Sequence, residues 1–266
     1  MAENEQKLDF SGLTDKNLAA FIEELHNAGA HFGYSRTRRH SSVKNFIFGS
    51  KNRMDIIDLE QMAKSYKSAL EFISKLGSEG KQILFVGNKK EAQKIVTDGA
   101  KDLGMPYVSL RWIGGTITNA MEIRKRIARM EDLMARKASG ALDVYTKKER
   151  LLLDREVAKL QKFFAGIQNM RRAPAALIVV DARNEETAVE EARQANIPVI
   201  ALCGTDNNIS NITFPIVSND SSMASISLFI DKISEAYKNG IKIAPKAAPT
   251  TPVVPNAKVA KMIEEK

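Results

Sequence analysis

The sequence predicts an α/β fold. The expected architecture is a three-layer parallel sheet, flavodoxin-like or Rossmann-like, with an inserted antiparallel coiled-coil helical hairpin. Three observations carry this expectation. Wholly apolar runs such as Ile83-Leu84-Phe85-Val86-Gly87 and Leu177-Ile178-Val179-Val180-Asp181 suit strands buried on both faces of a parallel sheet. Amphipathic helical stretches alternate with them, the rhythm of a sheet covered on two sides. Between the two α/β halves, Ile123, Ile127, Met130 and Met134, and then Leu153, Val157, Leu160, Phe164 and Ile167, repeat at the threes and fours of a coiled-coil seam. Residues 1–118 and 171–240 then form the sheet domain, and 119–170 the hairpin. Residues 241–266 carry four prolines among Ala, Thr and Lys, and are expected to be a disordered tail.

In chain order, Leu18, Phe21, Ile22 and Leu25 share one face of a first helix ending near Asn27. Gly29 and Gly33 break it. Phe46-Ile47-Phe48 and Met54-Asp55-Ile56-Ile57 read as strands. Asp58 with Gln61 marks a helix start whose buried face is Leu59, Met62, Ala63, Tyr66, Leu70 and Ile73. After the strand at Ile83, a helix through Ala92, Ile95, Val96 and Leu103 stops near Gly104, and Tyr107-Val108 is a short strand. Thr146 with Glu149 is a capping box opening the second hairpin helix. Then come a strand at Leu177, a helix from Glu186 to Ala195, strands at Pro198–Leu202 and Phe214–Val217, and a closing helix from Ser222 to Tyr237 that ends near Gly240.

The chain has 266 residues and a net charge of +8, which favours a polyanionic partner, either nucleic acid or an anionic membrane face. No apolar run approaches the roughly 18 residues of a membrane-spanning helix, and Met1 to Asp9 is polar, unlike a signal peptide. The lone Cys203 cannot form an internal disulfide, so a cytoplasmic home is the simplest reading. His26, His31 and His40 lack metal-ligand spacing, and no metal or cofactor is expected. Cys203 reads as a small buried hydrophobe. No nucleophile elbow is present. Asp58 and Asp181 end strands, where enzymes often place catalytic groups, but capping is the better reading for each.

Two stretches point to nucleic acid. From His31 to Arg53 the chain holds Arg36, Arg38, Arg39, Lys44, Lys51 and Arg53 and no acidic residue. Arginine grips phosphates, and the interleaved Phe32, Tyr34, Phe46 and Phe48 can stack on bases. The turn Phe85 to Lys90 is either a plain βα turn or a phosphate contact through Lys89 and Lys90. It lacks the glycines of a dinucleotide site and the Gly-Lys-Ser/Thr of a P-loop. Arg111-Trp112-Ile113-Gly114-Gly115-Thr116-Ile117-Thr118-Asn119 is the most distinctive word. It reads as a tight elbow packed by its indole, with a Thr/Asn cap opening the hairpin.

These words resemble a known family. Ala28-Gly29-Ala30-His31-Phe32-Gly33, Phe46-Ile47-Phe48-Gly49, Ile56 to Glu60, Ile83 to Lys89, Arg111 to Asn119, Thr146 to Glu149, Pro174 to Asp181 and Asn196 to Val199 follow one another as in bacterial small-subunit ribosomal protein S-two. The resemblance spans Leu18 to Gly240. It implies a sheet domain with a protruding coiled-coil hairpin, set between the head and body of the small subunit. It also implies small-subunit rRNA and neighbouring ribosomal proteins as partners, the mRNA-binding protein S-one among them, with no membrane or small-molecule substrate and no enzymatic activity. The expected RNA-contacting residues are Arg36, Arg38, Arg39, Lys44, Lys51, Arg53, Lys89, Lys90, Arg111 and, on the hairpin, Arg124, Lys125, Lys147 and Lys148. The chain departs from the family pattern at Tyr34, where the family usually has His. It departs again at His40-Ser41-Ser42-Val43, at Gly204, where an Asp is usual, and at Ser218-Asn219-Asp220-Ser221. The rival readings are an α/β enzyme using a nucleotide or sugar phosphate, and a coiled-coil adaptor that binds protein alone. The missing phosphate loop and missing catalytic constellation count against the first.

Overall fold

The computed structural model describes residues 15–142, 144–170 and 172–243. Five parallel strands form the central sheet: β4 (Ile83–Val86), β5 (Tyr107–Val108), β6 (Ala176–Val180), β7 (Val199–Cys203) and β8 (Phe214–Val217). Their order is β5-β4-β6-β7-β8. The first strand of this sheet thus lies between the second and third, the doubly wound arrangement in which direction reverses beside β4.

Strand alternation builds the two outer layers. Ile83, Phe85, Ile178, Val180, Ile200 and Leu202 face one side, against α1 (Asp15–Asn27), α2 (Leu59–Ser78), α3 (Lys90–Asp102) and α7 (Met223–Ile243). Leu84, Val86, Leu177, Val179, Val199, Ala201 and the buried Cys203 face the other. There they meet α6 (Glu186–Gln194), the first turns of α4 (Ala120–Ala138), and Phe164 and Ile167 at the end of α5 (Lys147–Phe164) and just beyond it. Asp58 caps α2, accepting from the N–H groups of Glu60 at 2.9 Å and Gln61 at 3.3 Å.

Helices α4 and α5 sit between β5 and β6 in the chain. They run antiparallel: Lys137 meets Asp154, Met134 meets Gln161, and Glu131 meets Gln168 beyond α5. Ile123, Ile127, Met130 and Val157 are buried, Leu153 and Leu160 half so. Met134 is 40% exposed, and Leu133 is buried in its place. Thr146 and Glu149 form the capping box. Asn119 stands at the N-cap of α4 without a capping hydrogen bond from its side chain.

The structure departs from expectation in two further places. Residues 32–57 build a second, antiparallel sheet of order β1-β3-β2, where β1 is Phe32–Ser35, β2 Ile47–Lys51 and β3 Met54–Ile57. Strand β1 is too short and too exposed to show as an apolar run. The second departure is at α7, which does not end at Gly240 but continues to Ile243. Ile241, Lys242 and Ile243 therefore lie in helix and not in a tail. A Cβ at Gly240 would overlap the carbonyl oxygen of Ser74 on α2, and one at Gly77 that of Tyr237 on α7. The paired glycines let two helices touch backbone to backbone; they are contact points, not stop signals. The expected tail from residue 244 onward and the N-terminal segment lie outside the described residues.

Candidate nucleic-acid interface

The cationic arm is docked over the carboxyl ends of the parallel strands. The Tyr34 N–H donates to Thr205 Oγ1 at 2.9 Å, and the His40 N–H to the Thr205 carbonyl at 2.9 Å. Between β1 and β2 the chain makes two 3₁₀ turns, Arg36–Arg38 and Ser41–Phe46. His40 caps the second by accepting from the Ser42 N–H. Arg36, Arg38, Lys44, Lys51 and Arg53 are exposed. Arg39 is different: its Nε donates at 2.6 Å, and its Nη2 also, to the fully buried carboxylate of Asp55, which Ser50 Oγ reaches at 2.7 Å. This two-point grip holds the Asp55 carboxyl below its ordinary pKa in spite of burial. Arg39 thus pins the arm together, where the sequence predicts a phosphate contact.

Lys89 is also engaged within the protein. Its Nζ lies 3.3 Å from Asp220 and 3.4 Å from Asp181, and donates at 3.1 Å to both Tyr34 Oη and Ser221 Oγ. Burial alone would lower its pKa; Asp220, the Tyr34 hydroxyl and Asp181 outweigh that and raise it. The N–H of Asn88 donates to Glu185 Oε1 at 2.9 Å, so the βα turn is closed by the chain's own carboxylate. Asp181 adopts a left-handed backbone; it accepts from the Asn184 N–H at 3.4 Å, as a cap would, and also binds Lys89 and the Asn184 side chain. These groups meet where β4 and β6 end, the switch point at which doubly wound sheets take ligands.

Three departures from the family pattern, Tyr34, Gly204 and Ser221, converge on this cluster, with Ser221 Oγ 2.8 Å from the Tyr34 hydroxyl. The Tyr34 hydroxyl donates to Asp220 Oδ1 at 2.9 Å, and a Cβ at Gly204 would come within 2.7 Å of the Tyr34 ring. Tyr34 fits because residue 204 has no side chain. The positions are far apart in sequence and act as one unit.

The distinctive word of residues 111–119 is organised by Glu191 of α6. One carboxylate oxygen accepts from Trp112 Nε1 at 2.9 Å and the Gly115 N–H at 2.8 Å. The other accepts from the N–H groups of Ile117 at 3.0 Å and Thr118 at 3.2 Å, and from the Thr118 hydroxyl. Burial would raise the Glu191 pKa, but these donors prevail and lower it. Glu191 therefore binds the base of α4 to the sheet layer, the role that the sequence assigns to a Thr/Asn cap. Its one sequence signal is an acid on the buried stripe of α6, beside Ala188 and Ala192.

Lys90 and Arg111 are exposed at the carboxyl edge of the sheet region. Arg124 and Lys125 are exposed on α4, where Lys125 pairs with Glu122 at 2.6 Å, and Lys147 and Lys148 open α5. Among the described residues no helix is long and apolar enough to cross a membrane.

A parallel sheet whose switch-point lysine is paired with its own carboxylates, with its exposed cations on an arm and a helical pair, has the form of a scaffold. The chain belongs to the ribosomal protein S2 family, whose family model matches residues 25–240. It is 38% identical over 236 residues to the small ribosomal subunit protein uS2 of Koribacter versatilis, covering 89% of this chain and 78% of that one. The protein of the same name from Helicobacter hepaticus is 39% identical, with 82% and 83% covered, and that of Salinibacter ruber 41%, with 83% and 69% covered.

Proposed function

We propose that this chain is a structural constituent of the small ribosomal subunit that binds small-subunit rRNA through phosphates. The observation that carries the reading is the arm: five exposed cations, Arg36, Arg38, Lys44, Lys51 and Arg53, with no acid between His31 and Met54. Lys90 and Arg111 extend this surface. The α4–α5 pair is an antiparallel coiled-coil appendage whose Arg124, Lys125, Lys147 and Lys148 carry charge to a partner that the sheet cannot reach. Its buried seam and the ion pairs across it support that reading. Neighbouring ribosomal proteins are the other partners, and the resemblance supports the mRNA-binding protein S-one among them.

Replacing Arg36, Arg38 and Lys51 together by Ala should weaken rRNA binding. It should also flatten the dependence of log K on log salt, by about one unit for each phosphate that the arm no longer reaches. Arg39 stays intact in this test, because removing it would strand the buried Asp55. An unchanged slope would count against the arm. Failure of the intact chain to sediment with small subunits would overturn the whole reading.

A further inference from the structure

We propose that the outer face of the β1-β3-β2 sheet is a stacking platform for unpaired RNA bases, an inference that rests on the RNA-binding reading above. The register defines the face. Phe32 pairs with Ile56, and Ile56 with Gly49, across the three strands; the next row joins Ser35, Met54 and Lys51. Ile57 and Asp55 alternate to the buried side. Phe48 is the extra residue of a β-bulge between Ile47 and Gly49, and it is 81% exposed. Phe32 is 49% exposed and Met54 47%. Two phenyl rings thus flank a row whose middle is the half-buried Ile56 of β3, while Gly49, beside Phe48 on the edge strand, has open space above it. Strand spacing of about 4.8 Å puts Phe32 and Phe48 roughly 10 Å apart, enough for bases to lie between or upon them.

Phe32 is held from behind. Its ring centroid lies 4.0 Å from that of His31, which stacks on His26 at 4.5 Å with the planes 2° apart. A ring backed by a column of rings has little rotamer freedom left to lose on binding. Phe48 gains nothing from its position in the isolated chain, since an exposed bulge aromatic contributes no core.

Charge decides between RNA and protein as the occupant. The cations beside this face, Arg36, Lys51 and Arg53, cluster at its β2–β3 turn, where the Arg36 N–H donates to the Arg53 carbonyl at 2.9 Å. The nearest acid in sequence, Asp55, is buried and consumed by Arg39. Aromatic rings rimmed by cations match a single strand, whose bases stack while its phosphates pair with the rim.

The test uses the full chain with three probes: small-subunit rRNA, a short oligoadenylate, and an abasic strand of the same length and charge. The wild type should bind oligoadenylate more tightly than the abasic strand. Phe48→Leu should weaken binding to oligoadenylate and rRNA about tenfold, with the salt slope unchanged, and leave the abasic strand unaffected. Phe48→Trp should restore it. Phe48 lies outside the core, so these variants fold; Phe32→Leu provides a second position. Equal affinity of wild type and Phe48→Leu for every probe, alongside weakened binding by the Arg36/Arg38/Lys51 variant, would overturn the platform and leave the phosphate reading standing. Loss of subunit incorporation by Phe48→Leu with RNA binding intact would make the occupant a protein, and so overturn it too. No rRNA binding by the wild type would overturn both.

Discussion

Glu185 lies buried at the carboxyl end of β6, with one oxygen on the Asn88 N–H and the other without a partner. Burial first, and then the nearby Asp181, push its pKa up to about 7, against the pull of the Asn88 N–H. The folded chain therefore binds a proton that the unfolded chain releases near the ordinary carboxyl value of 4.5. Stability from this group is present below that value and is lost as pH rises toward about 7. Glu185→Gln keeps the shape and the acceptor without the charge. It should raise Tm at roughly pH 8 and change it little at roughly pH 5; thermal melts at the two values check this, and equal shifts at both would refute it. Such residues are hidden from sequence reading for a physical reason. Glu185 and Glu191 look like ordinary surface charges along the chain, and Lys89 like a phosphate contact; only the fold brings their partners from distant segments.

Elements are legible where burial is two-sided. The runs at Ile83, Leu177 and Val199 announce themselves because every side chain in them meets apolar neighbours. Strand β1 does not, since Phe32-Gly33-Tyr34-Ser35 is half exposed and pairs only with β3. The end of α7 is illegible for a related reason: a helical glycine signals a stop locally, but here it answers a backbone on another helix. Gly240→Ala should cost about 1–3 kcal/mol by overpacking the α2–α7 crossing. Gly80→Ala serves as a control of a different kind, since its Cβ would meet nothing and its positive φ alone opposes the change. Denaturant melts compare them; a Gly240→Ala chain as stable as wild type would mean that the helices can part without cost.

At the scale of the whole molecule, the layers and the place of the helical pair follow from apolar pattern, while the strand order and the arm's docking over the sheet do not. That docking closes the crevice with Lys89, and the lysine behaves as a ligand tethered to its own receptor. Lys89→Ala should uncouple the two. Two acids would then face a space shaped for an ammonium group, and stability should fall by about 3–5 kcal/mol, the cost of stranding one side of a buried ion pair. Small alkylammonium ions should rebind and raise the variant's Tm with concentration, while leaving the wild type unmoved. A variant indifferent to them would show that the acids had relaxed or taken up protons instead. Chemical rescue of this kind would turn a ribosomal scaffold into a receptor for amines, by removing a single side chain.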